Sequence, residues 1–306
     1  MSHPSAHLSR LETTEIERQN INIKVEYGES IELYTRQLEE FYITDNCLAK
    51  HKITPALRAR MVDWMIEVLT NFKCDDQTFF LAASLLDRYL KSHLKSQEVA
   101  DLHMMGVTCM FIASKYEDVQ PLKMKMVYEK IAHKNLSIDK IKSMELEILK
   151  TIHYKIPAPS VLDFLKVYMK EVLEIGHLGN TSLKKEDKDA LPTNSDCNAG
   201  QKLLMLRMSV YLAKMSIHDY ELSGRKPSLV AVGCLYVALK ICEQLKKTTF
   251  ITTEIVLQMV HVSRCSEADI IEVSQKVLYL AQNFDKAFPG LENLKKSHFT
   301  VITQLL

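Results

Sequence analysis

Four charged side chains sit among apolar neighbours, where a charge can do what a solvated one cannot. Lys115 closes the uncharged stretch that opens at Leu102, and Glu145 interrupts the apolar pattern from Met144 to Leu149. If the two helix ends lie side by side, they present a donor and an acceptor at one edge, with Tyr116 and Leu149 as apolar contacts. An apolar floor carrying two oriented charges suits the capture of another protein's helix and the backbone groups of a loop. The alternative for the same residues is an ordinary solvated ion pair. Arg58 and Asp87 each fall on a segment that otherwise reads as core, so they are expected to pair and lock one helix onto the next. Removing one member of such a buried pair strands the other, at about 3–5 kcal/mol.

Other chemistry is not visible. The chain contains no GxGxxG, GxxxxGK[ST] or GxSxG pattern, and none of its seven cysteines form a CxxC pair. Cys109 and Cys234 are expected to fill core positions, and His103 and His261, which flank apolar stretches, to be hydrogen-bonded core or surface residues. Met124 and Met126 read as core filling ahead of an adaptable docking surface. The Lys184 to Asp189 run alternates in sign and reads as a solvated loop. No catalytic activity, metal or cofactor is expected. Thirty-nine basic against 38 acidic residues leave a formal charge of +1, which concentrates no field for nucleic acid or an anionic membrane. The scattered cysteines and the lack of an apolar opening segment fit a reducing compartment. The longest uncharged apolar runs, Leu102 to Ser114 and Pro227 to Leu239, are 13 residues each, against about 20 for a membrane span.

Those two runs carry an internal repeat. At an offset of 125, Met104 to Lys115 faces Leu229 to Lys240, with Val, Cys, Ala and Lys identical in register. At an offset of 129, Ile141, Met144, Ile148 and Leu149 face Ile270, Val273, Val277 and Leu278. Each copy divides into about five helices. In the first they are Thr54–Pro55 to about Asn71, Asp75 or Asp76 to Leu90, Ser96 to Tyr116, Leu122 to Ala132, and Ser137 to Thr151. In the second they are Ser160 to Glu174, Gln201 to Ser216, Pro227 to Leu245, Thr253 to Val260 and Ser266 to Phe284. The third helix of each copy has no polar face, so the others must surround it. Ile152 to Pro159 reads as the linker, and Gly176 to Gly200 as a mobile surface loop. Ile31, Tyr34, Leu38, Phe41 and Tyr42 mark an N-terminal helix outside the repeat, within residues 27–50. The domains are thus a disordered leader at 1–26, the helix region, a first repeat at 51–155, a second at 156–290, and a tail at 291–306.

Four ordered motifs then become recognisable. Leu57-Arg-Ala-Arg-Met-Val-Asp-Trp-Met-Ile-Glu-Val68, Leu86-Asp-Arg-Tyr-Leu90, Ala113-Ser-Lys-Tyr-Glu-Asp118 and Met144-Glu-Leu-Glu-Ile-Leu-Lys150 resemble the first cyclin box of the A/B-type mitotic cyclins. The second copy resembles the C-terminal cyclin fold. The resemblance implies an all-α chain of two tandem five-helix cyclin folds behind an N-terminal helix.

It also implies a non-catalytic activator that forms a heterodimer with a cyclin-dependent kinase in cell-cycle control, in the nucleus and cytoplasm. Lys115 and Glu145 would grip the kinase around its mobile C helix and activation segment. Tyr116, Leu149, Tyr154 and Ile156 would add apolar contacts, and Tyr27 and Ile31 would brace it from the side. Related cyclins dock short Arg-x-Leu peptides of substrates and inhibitors in a groove. Its positions here are Leu57, Arg60, Met61, Trp64, Glu67 and Leu102, with His103 beside them. Arg60 stands where an aliphatic residue is usual and His103 where Gln is usual. The RxxL and Lys-Glu-Asn destruction signals do not occur. The competing reading is a cyclin-fold transcription-factor or adaptor scaffold that activates no kinase. The near-neutral charge and the joint presence of Lys115 and Glu145 count against it.

Overall fold

In the computed structural model, which describes residues 30–178, 194–246 and 251–297, the helix starts follow the local capping chemistry. Helix α1 spans 30–41. Thr54 accepts a hydrogen bond from the Leu57 N–H and starts α2 (Pro55–Asn71), with Pro55 in the first turn. Asp75 does the same for Gln77 at the head of α3 (Asp76–Ser92). A 3-10 turn at Val99–Asp101 leads into α4 (Leu102–Glu117). The predicted start of that helix at Ser96 is therefore too early, because Asp101 folds back to accept the Glu98 N–H at 3.3 Å and sets a separate turn. The fourth element is a single α turn, α5 (Met124–Met126), running into a π turn at Val127–Ile131. Ser137 caps α6 (Ile138–Thr151).

The second copy comprises α7 (Val161–Leu178), α8 (Asn194–His218), a short α9 (Tyr220–Ser223), α10 (Pro227–Lys246), α11 (Thr253–Ser263) and α12 (Glu267–Ala287). Helices α7 and α8 both reach into Gly176 to Gly200, so the loop expected there is wrong at its two ends. Residues 179–193 lie outside the described residues, as do the leader at 1–26 and the Lys184 to Asp189 run. Among the described residues there is no strand.

Helices α4 and α10 occupy equivalent central places, α4 packed by α3, α6 and α2, and α10 by α12, α8 and α7. Almost every side chain of α4 from Met105 to Ser114 is buried, as an apolar-all-round helix requires. By length and composition Pro227–Leu245 would also cross a membrane, but here it is that packed central helix. Close crossings need missing side chains: a Cβ at Gly106 would lie 2.3 Å from the Met61 sulfur, and one at Gly233 would lie 2.8 Å from Val273 Cγ1. Cys109 and Cys234 are buried on these helices, and burial pushes the Cys234 thiol up to about 12.

Helix α1 departs from its expected design. Of its apolar row, Ile31, Tyr34 and Phe41 are exposed, and the residue buried is Glu39. Glu39 accepts from the Ser228 N–H at 3.0 Å and hydroxyl at 2.8 Å at the N-terminus of α10. Arg36 donates to the Val262 and Ser263 carbonyls, at 2.5 and 2.7 Å, at the C-terminus of α11. An anion at one helix start and a cation at another helix end match the helix dipoles. Helix α1 is thus tied to the second copy, and residues 45–50 are turns rather than its continuation.

Arg58 and Asp87 form a bidentate pair at 2.7 and 2.5 Å, with both side chains buried. The remaining Arg58 Nη1 donates to the Ile217 carbonyl of α8 at 2.7 Å, so the pair joins the two copies as well as α2 to α3. Asp63 performs a similar junction. It faces His218 at 3.4 Å and accepts the N–H groups of Asn293 and Leu294 at 3.2 and 3.1 Å. Leu291 and Leu294 are buried, so the start of the expected tail is packed structure.

Candidate functional site

At the C-terminal end of α4 the Lys115 ammonium bonds the Glu145 carboxylate of α6. It also stands 4.1 Å above the Phe111 ring, one turn earlier on its own helix. The side chains are 40% and 17% exposed, so the pair is neither sealed under its domain nor fully solvated. Tyr116 and Tyr154 are exposed, and Leu149 and Ile156 are half-buried against the core. Ile31 is exposed on α1, while Tyr27 lies outside the described residues. Leu146, next to Glu145, is also exposed on the outer face of α6, a candidate contact position that the apolar spacing alone does not single out.

Three fixtures hold this face in place. The first is Asp118, just past Lys115 and Tyr116. It accepts from the Ser114 hydroxyl at 2.6 Å, the Asp75 N–H at 2.9 Å and the Thr78 hydroxyl at 2.8 Å. This ties the end of α4 to the start of α3. Burial raises the Asp118 carboxyl, but the bonds from Ser114, Asp75 and Thr78 outweigh it and hold the group below its usual range. The second is Arg88. Its guanidinium donates to the Ile156 carbonyl at 2.9 Å and to the Lys155 carbonyl, and lies 4.3 Å from the Tyr42 ring centre. The linker is thereby pinned just after His153 and Tyr154, whose φ values of 53° and 57° turn the chain away from α6. The third is Glu147, which accepts from the Tyr89 hydroxyl at 2.7 Å and faces His93 at 3.1 Å, clamping α6 onto α3. Asp118 and Arg88 both sit inside quoted motifs. Their partners are backbone groups and hydroxyls of other elements, so residue type alone gave no role.

Two hollows flank the face. One of about 310 Å³ lies between α1, α3 and the linker, lined by Phe41, Tyr42, Arg88 and His153. Another of about 610 Å³ is lined by Leu38, Tyr116, Glu117, Pro157 and Asp163. In it burial, then Asp163 and Asp75, raise the Glu117 carboxyl.

These opposite shifts have opposite consequences for acid stability. A carboxyl held low in the fold stabilises above its unfolded value of about 4 and loses that contribution as pH falls through the folded value. Asp118 and Asp63 are of this kind; for Asp63 burial is outweighed by bonds from His218, Leu294 and Asn293. Asp118→Ala is expected to lose about 1–3 kcal/mol at pH 7 and less near pH 3. Glu117→Gln, which removes a carboxylate held high, is expected to stabilise slightly at pH 7. Urea unfolding at both pH values checks this; equal losses for Asp118→Ala at pH 7 and pH 3 would remove the assignment.

At the expected groove, α2 and α4 bring the seven positions together unequally. Met61 and Leu102 are 8% and 5% exposed, and Met61 sinks onto Gly106. They belong to the core, so of the expected groove they leave little open apolar surface. Leu57, Trp64 and His103 are half-buried, and Arg60 and Glu67 are exposed. The Trp64 and His103 rings lie 5.0 Å apart and tilted by 46°.

Among the described residues no group of three His, Cys, Asp or Glu side chains is arranged to hold a metal. The candidate face therefore consists of a fixed ion pair, aromatic and aliphatic side chains and a pinned linker, all at one end of a helical repeat. That defines a helical protein with two copies of one five-helix fold and a candidate docking face on the first.

Comparison with known proteins gives the family. Residues 29–157 match the model of the cyclin N-terminal domain, and residues 159–288 that of the cyclin C-terminal domain. The chain belongs to the cyclin family. It is 27% identical over 290 residues to the G2/mitotic-specific cyclin-B of Arbacia punctulata, covering 92% of this chain and 62% of that protein. With the G2/mitotic-specific cyclin-B of Hydra vulgaris it shares 28% over 271 residues, covering 88% and 64%. With cyclin-B1 of Xenopus laevis the match is 25% over 277 residues, covering 90% and 58%. The chain thus spans about three-fifths of the length of these relatives. A viral cyclin from herpesvirus saimiri superposes with a TM-score of 0.62 at 16% identity, covering 81% of this chain and 94% of that one, which shows the shared fold.

Proposed function

We propose that this chain is a non-catalytic regulatory subunit that binds and activates a cyclin-dependent protein kinase, acting at the G2/M transition and working in the nucleus and cytoplasm. The observation that carries the reading is the Lys115–Glu145 pair, held at the rim of the first fold by three independent fixtures and flanked by exposed Tyr116, Leu146 and Tyr154. The names of the matched relatives support the mitotic assignment. Lys115 offers donors to backbone carbonyls, Glu145 accepts from N–H groups, and the apolar residues receive a helix. Ile31 and Phe41 on α1 extend the contact.

Activation follows from selective binding. A kinase whose active-site Lys and Glu are apart has a minor state with its C helix turned inward. A subunit that fits only that state moves the population, and a shift from 1:99 to 99:1 takes about 5.5 kcal/mol of differential affinity. The Leu57, Trp64 and His103 surface then serves to recruit substrates or inhibitors by short peptides. Purified chain mixed with cyclin-dependent kinases is expected to form a 1:1 complex with one of them and to raise its phosphotransfer rate. A complex formed without activation would instead support an adaptor role.

A further inference from the structure

The recruiting surface has a charge arrangement that points to its ligand. Leu57, Arg60, Trp64 and Glu67 follow one another at three- and four-residue intervals, so they share the outer face of α2, with His103 of α4 against the indole. With Met61 and Leu102 buried, the apolar area left to a ligand is small. The rim charges then weigh more in deciding what binds.

Those charges are not equally free. Among the described residues Arg60 is exposed and forms no ion pair. Glu67, the acidic rim residue, accepts from the Asn293 side chain at 3.2 Å. Lys296 lies close by: its ammonium is stabilised first by Glu292, at 2.8 Å, and further by Glu67 and Asp63. Asp63, one turn from Glu67, is buried and taken up by His218, Asn293 and Leu294. On the α4 side, burial and the neighbouring His133 lower His103, which favours the neutral ring. Among the described residues the rim charge with no hydrogen-bonded partner is therefore a guanidinium, one helical turn from the indole, while the opposing carboxylate holds the Asn293 amide and has Lys296 nearby.

We propose that this groove selects short peptides carrying an acidic side chain beside an apolar anchor, in place of basic-apolar Arg-x-Leu peptides, with Arg60 as the residue that makes the choice. The anchor lies on Trp64 and Leu57, and the peptide carboxylate takes the two parallel N–H donors of the guanidinium fork. A peptide arginine at the same place meets Arg60 and reaches a Glu67 carboxylate already shared with Asn293 and, at longer range, Lys296.

The inference rests on the reading of this surface as a peptide groove, and one titration separates the two. Trp64 is the only tryptophan, so its fluorescence reports occupancy directly. Two peptides of one sequence, ending in Glu-x-Leu or Arg-x-Leu, are titrated into the full chain at about 0.1 M salt. The acidic peptide is expected to bind about fivefold more tightly, the scale of one exposed ion pair, with the preference shrinking at higher salt. Arg60→Glu, an exposed position, is expected to reverse the order, and Arg60→Gln to level it. Equal or tighter binding of the basic peptide to the unaltered chain overturns the inference and leaves the groove standing. If neither peptide perturbs Trp64 at millimolar concentration, both readings fall.

Discussion

Asp87→Ala is expected to cost about 3–5 kcal/mol of folding stability, the largest effect of any single substitution considered for this chain. Arg58 is completely enclosed, and its guanidinium sends two N–H groups to the Asp87 carboxylate and one to the Ile217 carbonyl. Without Asp87 a full positive charge stays in the interior with only a carbonyl to face. Asp87→Asn keeps the shape but turns one acceptor into a donor aimed at a donor, so it is expected to fall between Ala and the unaltered chain. The control is the exposed pair Lys91–Asp45, at 2.6 Å, where Asp45→Ala is expected to change stability by less than about 1 kcal/mol. Arg58→Met combined with Asp87→Leu, which removes both charges and keeps the volume, should recover much of the loss. Since the pair also holds α8, the Ala variant should weaken the junction of the two folds, seen as earlier proteolysis there. Urea unfolding of all five chains checks the set; an Asp87→Ala loss no larger than that of Asp45→Ala would mean the pair contributes no more than a surface one.

How far this was legible in the sequence depends on the range of each interaction. Thr54, Asp75 and Ser137 mark helix starts because each accepts from an N–H two or three residues on, a relation written in the local order of residues. The central place of α4 and α10 was legible for a similar reason, since a helix without a polar face has one solution. Arg58 with Asp87, and Lys115 with Glu145, were legible as charges placed among apolar neighbours, although not the capture of Ile217 or the ring of Phe111 beneath Lys115. Arg36, Glu39 and Asp63 gave no such signal. Apart from Glu32 beside Arg36, their partners are backbone groups, hydroxyls and a histidine more than 130 residues away, and a side chain that binds backbone leaves no complementary residue type to find. The same blindness turned the apolar row of α1 the wrong way round. Ile31, Tyr34 and Phe41 look like a buried stripe at helical spacing, but the polar bonds of Arg36 and Glu39 fix the helix and leave that stripe outside.

The exposed stripe and the Lys115–Glu145 pair make a joint demand on the kinase reading, and the sharpest expected result concerns the pair. Lys115→Ala with Glu145→Ala should leave the fold unchanged, because a partly exposed pair contributes about 0–1 kcal/mol. Affinity for the kinase should fall by a factor of roughly thirty or more, since truncating charged groups desolvated at an interface costs about 2–5 kcal/mol. A double alanine variant cannot by itself separate loss of a handle from loss of local rigidity, and Lys115→Glu with Glu145→Lys does. The exchanged chain keeps an ion pair between α4 and α6, and Asp118, Arg88 and Glu147 still fix the surrounding backbone. A partner that reads those positions now meets an acceptor where it needs a donor and a donor where it needs an acceptor. Binding should therefore be lost in the exchanged chain as fully as in the double alanine variant, with circular dichroism and urea midpoint near those of the unaltered protein. Kinase binding retained by the exchanged chain, measured by calorimetry or surface capture, would reduce the pair to a solvated contact and leave the apolar face alone to account for association. Phe41→Ala gives the complementary reading on α1. If the helix braces the kinase, affinity drops by a few-fold while the attachment through Glu39 and Ser228 holds the helix in place.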